Sequence, residues 1–406
     1  MDAGSSATRA AERGSDVERV AESLLAGAVG GSTAPRRRAR FHTLRVARVR
    51  PLTDTAVEVT FAVPAELRGE YDYLAGQHVA LRANVDGAEL RRSYSICRAP
   101  VEGGASGAPE AATLSVAIKR DRGGRFSTWA QTALRVGDEV DVMSPQGTFT
   151  STLAGLDGGH VAGIAAGSGI TPLMALAEAV LARSGTSRFT LVYTNRSSLD
   201  VMFVEELSDL KDRYPTRLAL HHVLSREQRT APLLSGRLDA ARLRRIVDDL
   251  VLPETVDEWF LCGPLELVTL CRDTLAEVGV DSAHVRHELF TTGEAPRSEP
   301  GAGAVVVIDD DEPVRRIEFT LDGQSSTVDS PLAANESILN AALRVRPDVP
   351  FACAGGVCGT CRARLVTGSV TMTENYALEP DELDRGYVLT CQSHPTSDAV
   401  VVDYDV

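Results

Sequence analysis

The stretch Cys353-Ala354-Gly355-Gly356-Val357-Cys358-Gly359-Thr360-Cys361, with Cys391 well downstream, decides how the last hundred residues fold. The spacing C-x4-C-x2-C…C is that of a plant-type [2Fe–2S] site. Three thiolates on one short loop can surround one edge of a small cluster, and the fourth must return from elsewhere in the fold. Gly355, Gly356 and Gly359 suit this arrangement, because a backbone without Cβ can wrap closely and aim N–H groups at sulfur. Zinc is the rival reading. Structural zinc sites pair two short spacings, whereas here one tight triplet faces a single distant partner. Disulfides fit less well, since no signal-peptide pattern points to an oxidising compartment. Cys97, Cys262 and Cys271 read as reduced thiols.

Outward from this motif, residues 305–406 carry 17 Asp and Glu against 7 Arg and Lys, most of the chain's formal charge of −14. That balance argues against a nucleic-acid partner. It leaves two readings of the acidic surface, a docking face for a basic protein or solubility alone. The 406 residues, 43% hydrophobic, are enough for two to four packed domains. No stretch has the 18 or so apolar residues of a membrane span, and the N-terminus has no signal-peptide core, so the expected setting is the cytoplasm, with no membrane partner.

Residues 1–40, rich in Ala, Gly, Ser and Arg and ending in Pro35-Arg36-Arg37-Arg38-Ala39-Arg40, read as a disordered tail. Residues 41–150 read as short strands in an antiparallel β-barrel: Val57–Phe61 and Leu114–Ile118 alternate, with Gly and Pro between such runs. From 151 to 292 the text changes to strand, glycine turn, helix, strand, the pattern of a parallel α/β sheet. Expected strands are Val161–Ala166, Phe189–Tyr193, Leu218–Val223 and Trp259–Leu261, with helices over Leu173–Ala182 and Phe203–Leu210. Residues 293–304, bounded by Gly and Pro, read as a linker, and 305–406 as an α+β domain, strands with one helix over Ser337–Leu343.

A cluster moves single electrons, so the front domains should supply them. On a strand, Arg92 and Tyr94 of Arg92-Ser93-Tyr94-Ser95 share one face, where the guanidinium can hold a pyrophosphate and the ring can stack on an aromatic cofactor; Ser95 can reach a ring nitrogen. In Lys119-Arg120-Asp121-Arg122-Gly123-Gly124-Arg125-Phe126-Ser127, a glycine turn with Ser127 as N-cap would expose N–H groups to phosphate, a plain hairpin turn being the alternative. Gly167-Ser168-Gly169-Ile170-Thr171-Pro172 follows a strand and offers a second phosphate turn, with Thr171 expected to cap the helix and Pro172 at its first position. Proline stands where the third glycine of G-x-G-x-x-G would be. Arg196 with Ser197, and Ser225-Arg226 after the next strand, favour a 2′-phosphate and hence NADPH. Cys262-Gly263-Pro264 ends another strand, where Cys262 is core or site.

These motifs, in this order over residues 42–405, resemble the ferredoxin–NADP reductase superfamily with a C-terminal plant-type ferredoxin domain, which implies a β-grasp for residues 305–406. The resemblance implies FAD at Arg92, Tyr94 and Ser95, its pyrophosphate in the turn that includes Gly124, Arg125, Phe126 and Ser127 near Lys119, and NADP at Gly167, Gly169, Thr171 and Pro172. It implies the nicotinamide at Cys262, Gly263 and Pro264, with Ser95 and Cys262 flanking hydride transfer and the segment Glu288-Leu289-Phe290 closing the flavin site. The cluster ligands would be Cys353, Cys358, Cys361 and Cys391. Within the superfamily, Gly123–Ser127, Asn375–Leu383 and Gly386–Gln392 resemble reductase subunits of phenylacetyl-CoA epoxidases, which pass electrons to a di-iron oxygenase. Reductases of steroid 9α-hydroxylases share the architecture. The implied activity is transfer from NADPH through FAD and [2Fe–2S] to an oxygenase component. The competing reading, a non-catalytic electron-carrier module with degenerate front domains, conflicts with the retained Arg92 and Gly167 turn. No H-E-x-x-H or paired E-x-x-H motif offers an oxygenase centre within the chain itself.

Overall fold

The protein is described here from a computed structural model covering residues 39–100, 112–152, 158–290, 313–378 and 380–406; the expected linker 293–304 and all but the end of the expected tail lie outside the described residues. Alternating apolar runs build six antiparallel strands, β1 (Phe41–Thr53), β2 (Ala56–Val63), β3 (His78–Val85), β4 (Ala88–Ser95), β5 (Ala112–Lys119) and β6 (Glu139–Met143), in the order β4-β3-β6-β1-β2-β5. An Ile96↔Val116 bridge joins the two ends and curls the sheet around Leu44, Val59, Phe61, Leu81 and Val116. Helix α1 (Arg125–Thr132) closes one mouth by burying Phe126 and Ala130.

Five parallel strands follow: β7 (His160–Ala166), β8 (Arg188–Asn195), β9 (Leu218–Leu224), β10 (Glu258–Gly263) and β11 (Val285–Leu289), ordered β11-β10-β7-β8-β9. The chain runs from β7 toward β9 and then crosses back to β10, so the order reverses between β7 and β10, the place where open α/β sheets bind ligands. Helices α2 (Ile170–Arg183), α3 (Val204–Arg213), α4 (Ala240–Ile246) and α5 (Leu265–Glu277) cover the faces. Helix α2 starts three residues before the expected Leu173, and α3 covers Val204–Arg213 rather than Phe203–Leu210. Phe203 instead stands at φ 58°, its buried ring 5.3 Å from the Arg98 guanidinium, so tertiary burial sets that boundary. Helices α4 and α5 and strand β11 have no counterpart in the sequence reading.

The last domain is a five-stranded sheet ordered β13-β12-β18-β14-β16, from β12 (Val314–Leu321), β13 (Gln324–Pro331), β14 (Arg362–Thr367), β16 (Tyr387–Leu389) and β18 (Ala399–Asp403). A ribbon of β15 (Val370–Met372) and β17 (Ser393–Pro395) flanks it. Helix α6 (Ile338–Leu343) packs Ile338, Leu339 and Ala342 onto that sheet, and its N-cap Ser337 accepts from the Asn340 N–H. No helix among the described residues is long and apolar enough to cross a membrane.

The barrel and the parallel sheet share a core, in which Ala56, Cys97, Ala117 and Phe149 pack with Leu173, Tyr193 and Phe260. A polar knot reinforces this seam. Arg98, just past β4, meets the Glu58 carboxylate at 2.6 and 3.1 Å, Glu178 of α2 at 3.3 Å and Glu206 of α3 at 3.0 Å. Arg50 also binds Glu58 and Glu206. Burial alone would raise the Glu58 pKa, but Arg98 and Arg50 outweigh it and hold the carboxyl below its usual range. Removing a partner from such a knot strands buried charge. Arg98→Ala is therefore expected to destabilise the protein by roughly 3 kcal/mol, read as a lowered denaturation midpoint at pH 7.

Candidate active site

The turn after β7 is held against β10 by backbone packing. A Cβ on Gly169 would lie 2.1 Å from the Cys262 carbonyl oxygen, and Gly167 takes φ 55°. The Tyr193 hydroxyl donates to the Gly167 carbonyl at 2.9 Å and accepts from the Met202 N–H at 3.3 Å, so a tyrosine on β8, not singled out from the sequence, fixes the turn's shape. Thr171 is not the cap: Gly169 takes that position, Thr171 lies inside the first turn, and its hydroxyl donates to the Ser168 carbonyl at 3.0 Å. Pro172 stands third rather than first, where the helix still has no N–H partner to lose. A short 3-10 turn over Gly167–Gly169 supplies the residues that displaced both.

The same shift occurs on the barrel. Gly124, not Ser127, caps α1, and the Ser127 hydroxyl accepts from the Asp121 N–H at 3.1 Å while donating to the Gly124 carbonyl at 3.3 Å. The turn is thereby closed tightly: a Cβ on Gly124 would stand 2.6 Å from Ser127 Oγ. Arg92 and Tyr94 lie half-buried on β4, and Tyr94 tilts against the Phe126 ring, centroids 5.9 Å apart. Phe126 is itself buried in the barrel core, supporting Tyr94 from behind. Burial raises the Asp121 carboxyl above its usual range against the pull of Arg92 and Lys119, which places these three charges together. Lys119 extends from the end of β5 to the second glycine turn, its Nζ 3.3 Å from where a Gly167 Cβ would be. Arg125 is engaged elsewhere, donating to the Val85 carbonyl at 2.9 Å.

Strand β11 completes the seam. Its Glu288 pairs in register with Cys262, and Ser95 Oγ donates to Glu288 Oε2 at 3.1 Å, joining the end of β4 to the end of the parallel sheet. His78, opposite Ser95 on β3, brings Nδ1 within 4.0 Å of Glu288 Oε1. Burial pushes the Glu288 carboxyl up to about 8, with the nearby Cys358 sulfur adding to the shift. Burial likewise raises the Cys262 thiol well above the ordinary range, so it stays protonated.

Arg196 and Arg226 lie side by side on the rim beyond β8 and β9, with the Arg226 N–H bonded to the Arg196 carbonyl at 2.8 Å and the Ser225 N–H to the Asn195 carbonyl at 2.9 Å. Two carboxylates share this rim. Asp200 accepts from Arg196 at 2.8 Å and from Ser197 at 2.6 Å, and Glu227 accepts from the Ser198 N–H at 2.7 Å.

The four motif thiols face one another as two couples, Cys353 with Cys358 and Cys361 with Cys391. Among the described residues no three His, Cys, Asp or Glu groups converge as they would on one ion. Two couples are the donor set a two-iron core requires, with a pair of thiolates for each iron. The Gly355 and Cys358 N–H groups point at Cys353 Sγ from 3.4 and 3.3 Å, and Gly356 and Gly359 take φ 76° and 66°, as the tight wrap demands. The residues fit a [2Fe–2S] cluster. Val357 packs against the core of the parallel sheet, and Cys358 against Ala80 and Met143 of the barrel, so the loop sits where all three units meet.

Family models match the three units in turn: an oxidoreductase FAD-binding domain over residues 45–151, an oxidoreductase NAD-binding domain over 164–273 and a 2Fe-2S iron-sulfur cluster binding domain over 319–396. One component of the 1,2-phenylacetyl-CoA epoxidase of Escherichia coli is 41% identical over 373 residues, covering 90% of this chain and 98% of that protein. The chain belongs to the iron–sulfur flavoprotein reductases of the ferredoxin–NADP reductase superfamily. The ferredoxin reductase component of the 3-ketosteroid-9-alpha-monooxygenase of Mycobacterium tuberculosis is 36% identical over 372 residues, 89% of this chain and 95% of that one. Among solved structures, phthalate dioxygenase reductase shares the fold, with TM-score 0.53 and 23% identity over 89% of this chain and 98% of that one.

In this reductase the folded Glu288 keeps its proton from about pH 4.5, where an unfolded carboxyl ionises, to about 8. Over that window the unfolded state binds fewer protons, so this group lowers stability as pH rises, and its effect levels off above pH 8. Glu288→Gln removes the titration. The melting temperature of the variant relative to the parent should rise by about 5 °C between pH 5 and pH 8.5; an equal difference at both pH values would contradict a raised Glu288 pKa.

Proposed function

We propose that this oxidoreductase takes electrons from NADPH and delivers them singly to an oxygenase that acts on phenylacetyl-CoA. The observation that carries the reading is the seam itself: the Gly167 turn, the Ser95–Glu288 hydrogen bond and the Cys353–Cys358 loop converge from three domains. We assign those domains to residues 41–150, 151–292 and 305–406. Arg92, Tyr94, Ser95, Lys119 and the backbone of the turn from Gly124 through Ser127 would hold FAD, with Phe126 behind Tyr94 and the Arg125 side chain kept on the Val85 carbonyl. Gly167, Gly169, Thr171, Pro172, Gly263 and Pro264 would hold the dinucleotide, and Cys353, Cys358, Cys361 and Cys391 the cluster. Bound there, flavin supplies the conversion from a hydride donor to one-electron acceptors, so that one NADPH becomes NADP⁺ and two electrons leave one at a time.

The chain's own groups do the positioning. The neutral Cys262 thiol and the core behind it exclude water at the end of β10. The Glu288 carboxyl holds a proton near neutral pH beside Ser95 Oγ, and the pair would offer that proton to a flavin ring nitrogen. The acidic surface of the cluster domain suits a basic docking face on the acceptor. Identity of 41% to the epoxidase component, against 36% to the steroid monooxygenase component, favours the first partner. The decisive experiment is anaerobic titration with NADPH, in which the flavin and then the cluster should be reduced, followed by reconstitution with each oxygenase on its own substrate. Flavin bleaching without any cluster signal rules out the relay, and coupling only to steroid oxidation reassigns the partner.

NADH is the second reading, because Asp200, in the turn beyond β8, already engages Arg196 and would accept ribose hydroxyls. The donor is tested by Arg196→Ala. Loss of a charge-assisted phosphate contact should raise KM for NADPH roughly tenfold while leaving KM for NADH within twofold; equal effects on both would favour NADH.

A further inference from the structure

Arg91 stands one residue before the strand motif that faces the flavin site, and its side chain reaches from the barrel to the cluster domain. It is 4% exposed, which is unusual for an arginine not held by a buried carboxylate. Its Nη1 donates to the Val349 carbonyl at 3.2 Å and its Nη2 to the Pro347 carbonyl at 3.0 Å, both on the cluster domain, while Nε donates to Glu89 at 2.9 Å. The guanidinium lies 4.3 Å over the Phe351 ring and 5.5 Å from that of Phe41 on β1. Each edge of the fork therefore has a partner, and both aromatic neighbours offer their faces.

Burying that cation carries a desolvation cost, which lowers the Arg91 pKa, and Glu89, its carboxylate partner, is half-exposed. The carbonyls and rings must compensate, and they do so only while the two domains remain seated. The segment being held, Pro347 to Phe351, leads within two residues to Cys353. Beside it, Ala352 and Cys358 pack on Ala80, Met143 and Phe41 of the barrel. Arg91 thus clamps the entry to the cluster loop, and apolar contacts hold the loop itself. A domain that swung freely between flavin and acceptor would open and resolvate this cation on every cycle.

We propose that Arg91 is a positioning residue that fixes the cluster loop on the FAD-binding barrel, so that electrons cross from flavin to cluster over a set gap rather than by domain movement. The proposal rests on the relay described above; the electron leaves reduced flavin and enters the oxidised cluster, twice for each NADPH consumed. Lysine cannot replace the fork, since one ammonium cannot span both carbonyls and Glu89 in the same plane.

The test uses the full-length holoprotein with Arg91→Ala, Arg91→Lys and Phe41→Leu, the last keeping every charge but removing the ring that Arg91 shares with Arg82. Hydrogen exchange read by mass spectrometry should show residues 345–353 exchanging at least tenfold faster in Arg91→Ala, with β12 and β13 unchanged. In stopped flow under anaerobic conditions, flavin reduction by NADPH should stay within twofold of the parent, cluster reduction should slow at least tenfold, and Arg91→Lys should fall between. Unchanged exchange at 345–353 overturns the proposal, as does faster exchange throughout the cluster domain, which would make Arg91 a general stabiliser. Unchanged cluster reduction with a loosened segment also overturns it. Should Arg91→Ala fail to fold, Arg91→Lys and Phe41→Leu carry the same comparisons. If the parent's cluster takes no electrons from NADPH, the relay fails by itself, and the exchange result alone decides whether Arg91 seats the loop.

Discussion

At the reversal between β7 and β10 no side chain fits. A Cβ on Gly169 would overlap the Cys262 carbonyl, so the first phosphate-type turn of the parallel sheet and the end of β10 approach backbone to backbone. That approach fixes the width of the crevice at the switch point, and the remaining groups are placed relative to it. Cys262 pairs with Glu288, Glu288 accepts from Ser95, and Ser95 belongs to the strand that also carries Arg91, Arg92 and Tyr94. One glycine contact thus sets the spacing at the end of the parallel sheet, the Ser95–Glu288 hydrogen bond ties that end to the barrel, and Arg98 adds a second tie from the barrel to α2 and α3.

Local signals carried much of this into the sequence. The Cys353–Cys361 triplet, the strand–turn–helix around Gly167 and the alternating runs of the barrel all depend on neighbours within a dozen residues; a 2Fe-2S domain model covers the first, and the other two form, with the helix starting three residues early. The cap positions moved because a 3-10 turn at Gly167 and a closed Asp121–Ser127 loop use glycines, not hydroxyls, at the helix starts. Phe203 and Leu252 take left-handed backbone angles that no propensity favours. Strand β11 is short, with Arg286, His287 and Glu288 between its two buried ends, so its alternation is weak, and only its place beside β10 makes it a strand.

What no local pattern could reveal is contact between distant segments. Tyr193 looks like an ordinary buried strand residue until its hydroxyl is seen to hold the Gly167 carbonyl. Arg91 looks like half of a dibasic pair with Arg92, yet its side chain reaches across a domain boundary to carbonyls more than 250 residues away in sequence. Lys119 was legible as part of a phosphate-type turn, but not as the side chain that reaches from the barrel to the glycine turn of the next domain.

The position of β18 imposes an order on how the protein is made. This strand lies between β12 and β14, pairing parallel to one and antiparallel to the other, and Cys391 precedes it, between β16 and β17. The sheet of the cluster domain therefore cannot close until residues up to Asp403 have left the ribosome, and the fourth thiol cannot arrive before Cys391 has. By then the barrel and the parallel sheet have been free to fold, since their strands are complete at Leu289. The nascent chain thus presents a finished two-domain platform, with the Arg91 fork exposed, on which the iron-binding loop is the last part to settle.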